Sequence, residues 1–421
     1  MFRCPIRQIR SVSWQIRYFK VLAFETSADD TCVAVLDNTT VLSNVILKQH
    51  AECMRVQLVL DVHHHLPNFD RHEEFRGIHP QVAIRAHDKN IATLRLALKE
   101  SGVNINDING IAFTRGPGMR GCLSVGANSA GTLAAALNKP LVGVHHMQAH
   151  ALTALYTSKP SPTYPFLVLL ISGGHTLLLL ARSRYCFTIL ATTTDESIGN
   201  AFDRVARLLD VPWSLERSAG ASLEQFAEGV DNPDLHFSVP SPGKLVFSYS
   251  GLTSAIRAHI LRRSDPDMVV HSADIVPDLL VKHPPILERA LIQERLRQTV
   301  ARMTLDERRN IAAAFQKSAV AQLEEKLKLG LDQCVRLGVN PRFIVVSGGV
   351  ASNTYVRERL QSLIQEVESQ VKLSLVFPPP YLCTDNAVMI AWTALERFLS
   401  NSHDELDTQV RPVWSIEDLQ T

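Results

Sequence analysis

Cysteine is scarce in this chain and shows none of the spacings that build a disulfide framework or a structural zinc site. Seven cysteines are scattered over 421 residues, an odd number, and no two of them form a Cys-x-x-Cys pair. Disulfide-stapled domains and zinc ribbons depend on paired cysteines. We therefore expect reduced thiols and a reducing compartment.

The chain also lacks an excess of charge and a long apolar run. Lys and Arg number 43 and Asp and Glu 42, so a nucleic-acid-binding surface would have to be local. The longest apolar tract, residues 166–180, is interrupted by Ser-Gly-Gly-His at 172–175 and is too short to span a bilayer. We expect no membrane partner. The length and the 46% of hydrophobic residues suit two globular domains.

Acidic residues are absent from the N-terminal 24 residues, whose composition differs from that of the remaining chain. Serines, a tryptophan and apolar residues separate five basic side chains there. A basic, acid-free leader is typical of a mitochondrial presequence, which we place at residues 1–20, and a plain basic tail is the alternative. We therefore predict a mitochondrial location. The basic residues are Arg3, Arg7, Arg10, Arg17 and Lys20.

A histidine-rich stretch, His-His-Met-Gln-Ala-His at residues 145–150, follows the apolar run 141–144 and opens a predicted helix. On a helix His146 and His150 share one face, a turn apart, so their imidazoles can bind one metal ion. The spacing fits two histidines without a metal equally well. Met147 stands where a zinc protease carries its catalytic glutamate, which argues against that class.

Asp385 precedes an apolar helix predicted at residues 387–399. Either Thr384 or Asp385 would cap that helix. Alternatively, the Asp385 carboxylate completes a site of two histidines and one carboxylate. Such a donor set suits iron or zinc better than magnesium.

Three turns rich in glycine or hydroxyl groups follow apolar strands. They lie at residues 25–31, 172–176 and 347–353, and the first two each join two short strands. Turns of this kind can hold phosphates. A strand at 110–113, a glycine loop at 114–121 and a helix at 123–137 add the α/β pattern with a mostly parallel sheet. We therefore predict an α/β chain made of two related halves.

Eight short motifs occur in the order of one known family, and on them the chain resembles the TsaD-like tRNA threonylcarbamoyladenosine transferases over residues 21–399. The basic leader, and Gln148 where many members carry glutamate, resemble the mitochondrial branch. The motifs are Glu-Thr-Ser-Ala-Asp-Asp-Thr (25–31), Thr-Arg-Gly-Pro-Gly (114–118), His-His-Met-Gln-Ala-His (145–150), Ser-Gly-Gly-His-Thr (172–176), Ala-Phe-Asp (201–203), Phe-Ser-Tyr-Ser-Gly-Leu (247–252), Ser-Gly-Gly-Val-Ala-Ser-Asn (347–353) and Cys-Thr-Asp-Asn (383–386).

The resemblance implies a fold and a reaction. The fold is the two-domain architecture of actin, chaperone ATPases and sugar kinases, with a ligand cleft between related halves. The reaction passes threonylcarbamoyl from its adenylate to the adenosine next to the anticodon in tRNAs that read codons beginning with A. The implied partners are tRNA, threonylcarbamoyl-adenylate, a second copy of the chain in a homodimer, and a separate enzyme that makes the adenylate.

The resemblance also implies site residues. His146, His150 and Asp385 match the metal ligands, for one divalent ion per subunit. The general base stays unassigned, with Asp29, Asp30 and His175 as candidates. The residues that match the adenylate-binding loop and further ligand contacts are Leu170, Ile171, Ser172, Gly173, Gly174, Asp203, Gly220 and Asn353.

Several segments depart from the family pattern. Ala28 replaces a cysteine, the sequence around Gly220 is altered, and residues 50–75 form an insertion with three consecutive histidines. Arginines at residues 260–310 fit solvated helices or, alternatively, a tRNA contact surface. We place an N-terminal domain at 21–160, a C-terminal domain with insertions at 161–400 and a tail at 401–421. An ATPase or small-molecule kinase of the same fold, and a non-catalytic scaffold subunit, are the alternative functions.

Overall fold

The computed structural model describes residues 18–49, 80–212, 218–264, 286–368 and 372–419. Residues 1–17 of the predicted presequence and the whole insertion at residues 50–75 lie outside these ranges. None of the helices in these ranges is long and apolar enough to cross a lipid bilayer.

The described residues divide into two compact units. The first contains the described residues up to 161, residues 181–188 and the described residues from 384 onward. The second contains residues 162–180 and the described residues of 189–383. The sequence assigned residues 161–400 to a C-terminal domain and did not predict that residues 384–419 return to the first unit.

A five-stranded mixed sheet forms the centre of the first unit. Its order is β3-β2-β1-β4-β5. The first three strands pair antiparallel, and β1–β4 and β4–β5 pair parallel. The inner strands are continuous apolar runs because both faces of the sheet are covered. The strands are β1 Lys20–Glu25, β2 Asp30–Asp37, β3 Thr40–Lys48, β4 Gly110–Gly116 and β5 Leu141–His145.

Five α-helices occur among the described residues of the first unit. The helix predicted after the glycine loop, at residues 120–137, packs on β4 and β1. The helix at residues 387–399 packs on β1, β2 and the helix at residues 146–157. Gly126 lets the former helix approach the first turn, since a Cβ there would lie 2.6 Å from Thr26 Oγ1. In chain order the helices are α1 Pro80–Asn90, α2 Thr93–Ser101, α3 Arg120–Leu137, α4 His146–Thr157 and α12 Ala387–Leu399.

The second sheet has the order β8-β7-β6-β9-β10, with β6–β9 and β9–β10 parallel. Read in chain order, each sheet therefore runs third, second, first, fourth, fifth. This repeat confirms the predicted α/β class with two related halves. The strands are β6 Phe166–Ile171, β7 Thr176–Ser183, β8 Cys186–Thr192, β9 Phe343–Ser347 and β10 Ser374–Val376.

Among the described residues of the second unit the longest helix is α9, Leu305–Arg336, with 32 residues. It begins with a capping box in which Thr304 and Glu307 bond each other's backbone N–H groups. Its apolar face, including Phe315 and Leu323, lies in the core with β6 and α5. The other helices are α5 Ile198–Leu208, α6 Ala219–Ala227, α7 Ser250–Ser264, α8 Ile286–Arg302, α10 Thr354–Glu368 and α11 Pro380–Cys383.

Candidate active site

The histidine helix α4 begins directly at the end of β5, whose five residues are all buried. His145 is the N-cap, and its Nδ1 accepts a hydrogen bond from the Gln148 backbone N–H at 3.4 Å. The His145 Nε2 lies 3.2 Å from the Trp414 carbonyl oxygen. The N-terminus of the helix, and with it His146, is therefore held from the C-terminal segment as well as from the sheet.

His146 and His150 face each other and the Asp385 carboxylate within the first unit. The two rings are 4.7 Å apart between centroids and nearly perpendicular, at 89°. Asp385 Oδ1 lies 3.1 Å from His150 Nε2 and 3.5 Å from His146 Nε2. Both histidines are buried, whereas the aspartate side chain is 24% exposed. The structure therefore brings together the three side chains that the sequence analysis grouped.

Asp385 is available to the histidines because it is not the helix cap. The predicted cap, Thr384 or Asp385, is wrong: Asn386 caps α12, with its Oδ1 accepting from the Met389 backbone N–H at 2.9 Å. Asn386 satisfies the helix N-terminus one or two positions later than expected. The carboxylate next to it is then directed toward the histidines.

The donor set fits a metal ion. One ligand atom from each of the three side chains lies within 4.8 Å of the others. Two imidazoles and one carboxylate hold iron or zinc and leave coordination positions open. The charge distribution agrees, because the aspartate faces Nε2 of both rings from one side.

A second carboxylate, that of Glu25, lies behind His146. Glu25 is fully buried at the end of β1, and its Oε2 is 3.1 Å from His146 Nδ1. Ser27 Oγ is 3.3 Å from the same ring nitrogen. Glu25 was predicted as part of the first turn, but its contact with His146 was not predicted. A glutamate that ends an otherwise apolar strand was the available signal.

The carboxylates govern the protonation of the histidine pair. Burial opposes the charged form of His146, but Glu25 and Asp385 outweigh it and raise the pKa of His146 to about 9. Burial would likewise raise the pKa of Glu25, yet His146 lowers it below its ordinary value. For His150 burial prevails, and its pKa is lowered. A metal ion at this site would have to displace a proton from His146.

The first turn is stabilised from inside the protein. Buried His87 on α1 contacts Thr31 Oγ1 through Nδ1 at 2.8 Å and the Ala28 carbonyl oxygen through Nε2 at 2.9 Å. Thr26 Oγ1 donates to the Cys122 carbonyl at 2.8 Å. The sequence predicted that the hydroxyls of this turn could hold phosphates, but those of Thr26 and Thr31 bond within the protein. Sequence reasoning missed His87, which shares a helix face with Ala83 and Asn90.

Asp29 and Asp30, two of the candidate bases, stand in this same turn. Burial raises the pKa of Asp30 well above its ordinary value, and the Asp29 and Asp385 carboxylates raise it further. The third candidate, His175, lies in the second unit, where its backbone N–H donates to Ser172 Oγ at 3.0 Å.

The predicted adenylate-binding loop forms the turn between β6 and β7. Leu170 and Ile171 are buried, and the exposed Gly173 and Gly174 leave open space where a Cβ would stand. Ser172 and Gly173 are tied to the start of α5. The Gly199 N–H donates to the Ser172 carbonyl at 3.2 Å, and the Ser197 hydroxyl donates to the Gly173 carbonyl.

The remaining predicted contacts also lie in the second unit. Asp203 on α5 accepts a hydrogen bond from the Gly220 backbone N–H at 2.7 Å, so these two positions are adjacent. Asn353 is buried, caps α10 through the Val356 N–H at 2.8 Å, and reaches Gln316 Oε1 at 3.5 Å. A cavity of about 540 Å³ is lined by Gln316, Ser352 and residues of α6.

The arginines predicted as solvated helices or a tRNA surface divide into two groups. Arg308 donates to the Leu209 and Asp210 carbonyls, Arg309 to the Phe226 and Glu228 carbonyls, and Arg263 pairs with Glu307. Arg308 and Arg309 thus bond backbone carbonyls of the second unit, whereas the Arg263–Glu307 pair lies at the surface, with side chains 46% and 33% exposed. Arg262, Arg297 and Arg302 are exposed.

Comparisons with known proteins identify relatives of the chain. The chain is 36% identical over 408 residues to an Arabidopsis thaliana protein named "Probable tRNA N6-adenosine threonylcarbamoyltransferase, mitochondrial", covering 95% of the chain and 73% of the relative. A Rhizobium johnstonii tRNA N6-adenosine threonylcarbamoyltransferase is 33% identical over 417 residues, covering 96% and 95%.

Among solved structures, an activator of 2-hydroxyisocaproyl-CoA dehydratase from Clostridium difficile is similar with 12% identity and a TM-score of 0.45, covering 91% of the chain and 97% of the activator. That likeness is too loose to bear on function. The sequence model described as tRNA N6-adenosine threonylcarbamoyltransferase matches residues 63–392. The predicted family is thus confirmed: the chain belongs to the tRNA N6-adenosine threonylcarbamoyltransferases, a family of transferase enzymes.

Proposed function

We propose that the chain transfers threonylcarbamoyl from threonylcarbamoyl-adenylate to N6 of the adenosine next to the anticodon, in mitochondrial tRNAs that read codons beginning with A. N6 forms a bond to the carbamoyl carbon, the bond from that carbon to the phosphate oxygen breaks, AMP leaves, and an N6 proton passes to a base. The family match over residues 63–392 carries this proposal.

We assign the metal site to His146, His150 and Asp385, with iron or zinc as the ion. A bound ion of this type polarises carbamoyl or phosphate oxygens. The residues themselves supply the site's shape: α4 presents both imidazoles from one face, and the loop before α12 brings the carboxylate to them at 3.1 and 3.5 Å.

We assign adenylate binding to the turn that contains Ser172, Gly173 and Gly174, together with Asp203, Gly220 and Asn353. The two exposed glycines permit close approach of a ligand. Asp203 and Asn353 offer carboxylate and amide groups for hydrogen bonds to a sugar or base. Burial and the Asp29 and Asp385 carboxylates raise the pKa of Asp30 well above its ordinary value, which favours the protonated form of this candidate base. The general base stays unassigned among Asp29, Asp30 and His175.

Mass spectrometry of nucleosides from purified mitochondrial tRNA tests the reaction. We expect threonylcarbamoyladenosine to disappear on deletion of the gene, to return with the wild-type chain, and to stay absent with Asp385→Ala. Persistence of the modification in the deletion would contradict the transferase assignment. Turnover of ATP by the chain without modification of tRNA would then favour the kinase or ATPase alternative. Loss of a partner protein's activity in the deletion would favour the scaffold alternative.

The mitochondrial location and the homodimer are parts of the same proposal. The acid-free basic leader and the name of the Arabidopsis relative support the location. Residues 1–24 fused to a fluorescent protein should direct it to mitochondria, and a diffuse cytosolic signal would exclude the presequence. Light scattering on the purified chain should give twice the monomer mass of 46.8 kDa.

A further inference from the structure

Glu25 carries a buried carboxylate for which the proposed reaction has no direct use. It is the last residue of β1, is fully buried, and points its Oε2 at His146 Nδ1 from 3.1 Å. The opposite ring nitrogen of His146 is the one that faces Asp385. The carboxylate therefore stands behind the imidazole, on the side away from the proposed metal.

Two further donors fix the Glu25 side chain. The Ser27 backbone N–H donates to Oε1 at 2.6 Å, and the Thr114 hydroxyl on the neighbouring strand β4 donates to Oε2. Because β1 and β4 pair in parallel register, the glutamate is anchored to the sheet itself. A carboxylate held in this way has little freedom to follow a moving ring.

His150 differs from His146 in this respect. Within the described part of the chain its Nδ1 is buried without a hydrogen-bond partner. Its Nε2 faces Asp385, which is partly exposed, and its ring stands edge-on to the His146 ring. The sheet, through Glu25, therefore fixes the orientation of the His146 ring rather than that of His150.

We propose that Glu25 is a positioning residue that accepts a hydrogen bond from His146 Nδ1–H and thereby directs the Nε2 lone pair of His146 toward the metal. The inference rests on the metal site of the proposed function. Carboxylates behind metal-binding histidines orient the ring and strengthen it as a ligand, and their loss commonly weakens metal binding about 10- to 100-fold.

Two substitutions separate position from charge. In Glu25→Gln one carboxylate oxygen becomes an amide NH2, which must face either the Ser27 N–H or the pair of donors at Oε2. In Glu25→Asp the charge stays, but the carboxylate is withdrawn by one methylene from His146 Nδ1. Glu196→Gln is the matched control, since Glu196 is also buried, pairs with Arg204 and accepts from Thr253 in the second unit.

The experiment measures zinc affinity by competition with a chromophoric chelator, and the absorption spectrum of the cobalt(II)-loaded protein. We expect both Glu25 variants to bind zinc about 10- to 100-fold more weakly and to change the cobalt spectrum. Glu196→Gln should match the wild type in both. Circular dichroism verifies the fold, and if Glu25→Gln fails to fold, Glu25→Asp decides.

Wild-type affinity and an unchanged spectrum in the folded Glu25 variants would overturn the inference. Failure of the proposed metal site is distinguishable, since the wild-type chain would then bind neither zinc nor cobalt. If Glu25→Gln bound zinc more weakly but Glu25→Asp bound it as tightly as the wild type, the negative charge alone would matter. That result would also overturn the positioning role.

Discussion

At the scale of single residues, the site depends on polar side chains that are buried and individually paired. His146 lies between the carboxylates of Glu25 and Asp385, and a buried His87 supports the turn that carries Asp30. Most buried polar groups in proteins are hydrogen-bonded, because burying one without a partner costs free energy. A substitution at one of these positions therefore destabilises the chain mainly by leaving a buried partner without its hydrogen bond.

Asp195 gives a pH-dependent prediction in the second unit. Loss of part of its hydration would raise the pKa of Asp195, but hydrogen bonds from Ser248, Ser250 and the Tyr249 N–H lower it below its ordinary value of 3.8. A lowered folded-state pKa contributes stability above the unfolded pKa, and that contribution is lost as pH falls through the folded pKa.

We therefore expect Asp195→Asn to unfold more easily than the wild type by about 1 kcal/mol at neutral pH, because water replaces part of the lost bonds at this exposed position. The difference in the free energy of unfolding should narrow as the pH falls below 3.8. Urea unfolding at neutral pH and below pH 3.8 is the measurement, and a difference independent of pH would contradict the role of the charge.

Two glycines of the predicted binding turns should behave differently on substitution by alanine. Gly348 has φ of +100°, and a Cβ there would lie 2.3 Å from the Ile171 carbonyl oxygen, so Gly348→Ala should destabilise the chain by about 2–4 kcal/mol. Gly173 has open space around it. Gly173→Ala should keep the wild-type melting temperature but weaken binding of a non-hydrolysable adenylate about tenfold or more. Equal melting temperatures for the two variants would contradict this division.

At the scale of elements, the C-terminal segment is part of the first unit rather than an appendage. The Asp404 N–H donates to the Leu141 carbonyl at 2.8 Å, and its carboxylate accepts from the Gly143 N–H at 2.7 Å and from Arg397 at 2.9 and 3.0 Å. Trp414 packs against His145, the N-cap of α4. The segment therefore holds β5 and the start of the histidine helix.

Replacing Asp404 should lower the free energy of unfolding by an amount that depends on which of its hydrogen bonds are lost. Asp404→Ala breaks a partly buried bidentate pair and leaves the Gly143 N–H unsatisfied, so we expect a loss of about 2–4 kcal/mol in the free energy of unfolding. Asp404→Asn still accepts from Gly143 and should lose less. Denaturant unfolding compares them, and equal losses would show that the Gly143 bond contributes nothing.

At the scale of the whole molecule, the same strand order occurs in two sheets, but the three proposed metal ligands all lie in one unit. An ion that binds only the folded state stabilises that unit by about 2.7 kcal/mol at a hundredfold excess over its dissociation constant. Zinc should therefore slow amide exchange in β1, β5 and α12 more than in β6 and β9.

Hydrogen exchange with mass spectrometry measures this difference. His150→Ala, which lacks one ligand, is the control and should show no zinc-dependent protection. Equal protection of both sheets, or none in the wild type, would contradict a metal site confined to the first unit.

Local sequence already predicted most of the strands and placed two of the three proposed metal ligands together. Apolar runs bounded by turn residues identified the strands β1, β2, β4, β6 and β9, and the i, i+4 spacing placed His146 and His150 on one helix face, because both patterns repeat over a few residues. The cap of α12 was misplaced by one or two positions, since Thr, Asp and Asn all suit an N-cap and stand side by side.

Contacts between segments that are distant in sequence could be identified only from the folded structure. Asp385 meets His150 across 235 residues and Glu25 meets His146 across 121, and these distances in sequence place no limit on distances in space. Their approach follows from the parallel pairing of β1, β4 and β5 and from the return of α12 to the first sheet. Pattern and resemblance could suggest which residue types bind a metal; only sheet register and packing decide which side chains stand within reach of one another.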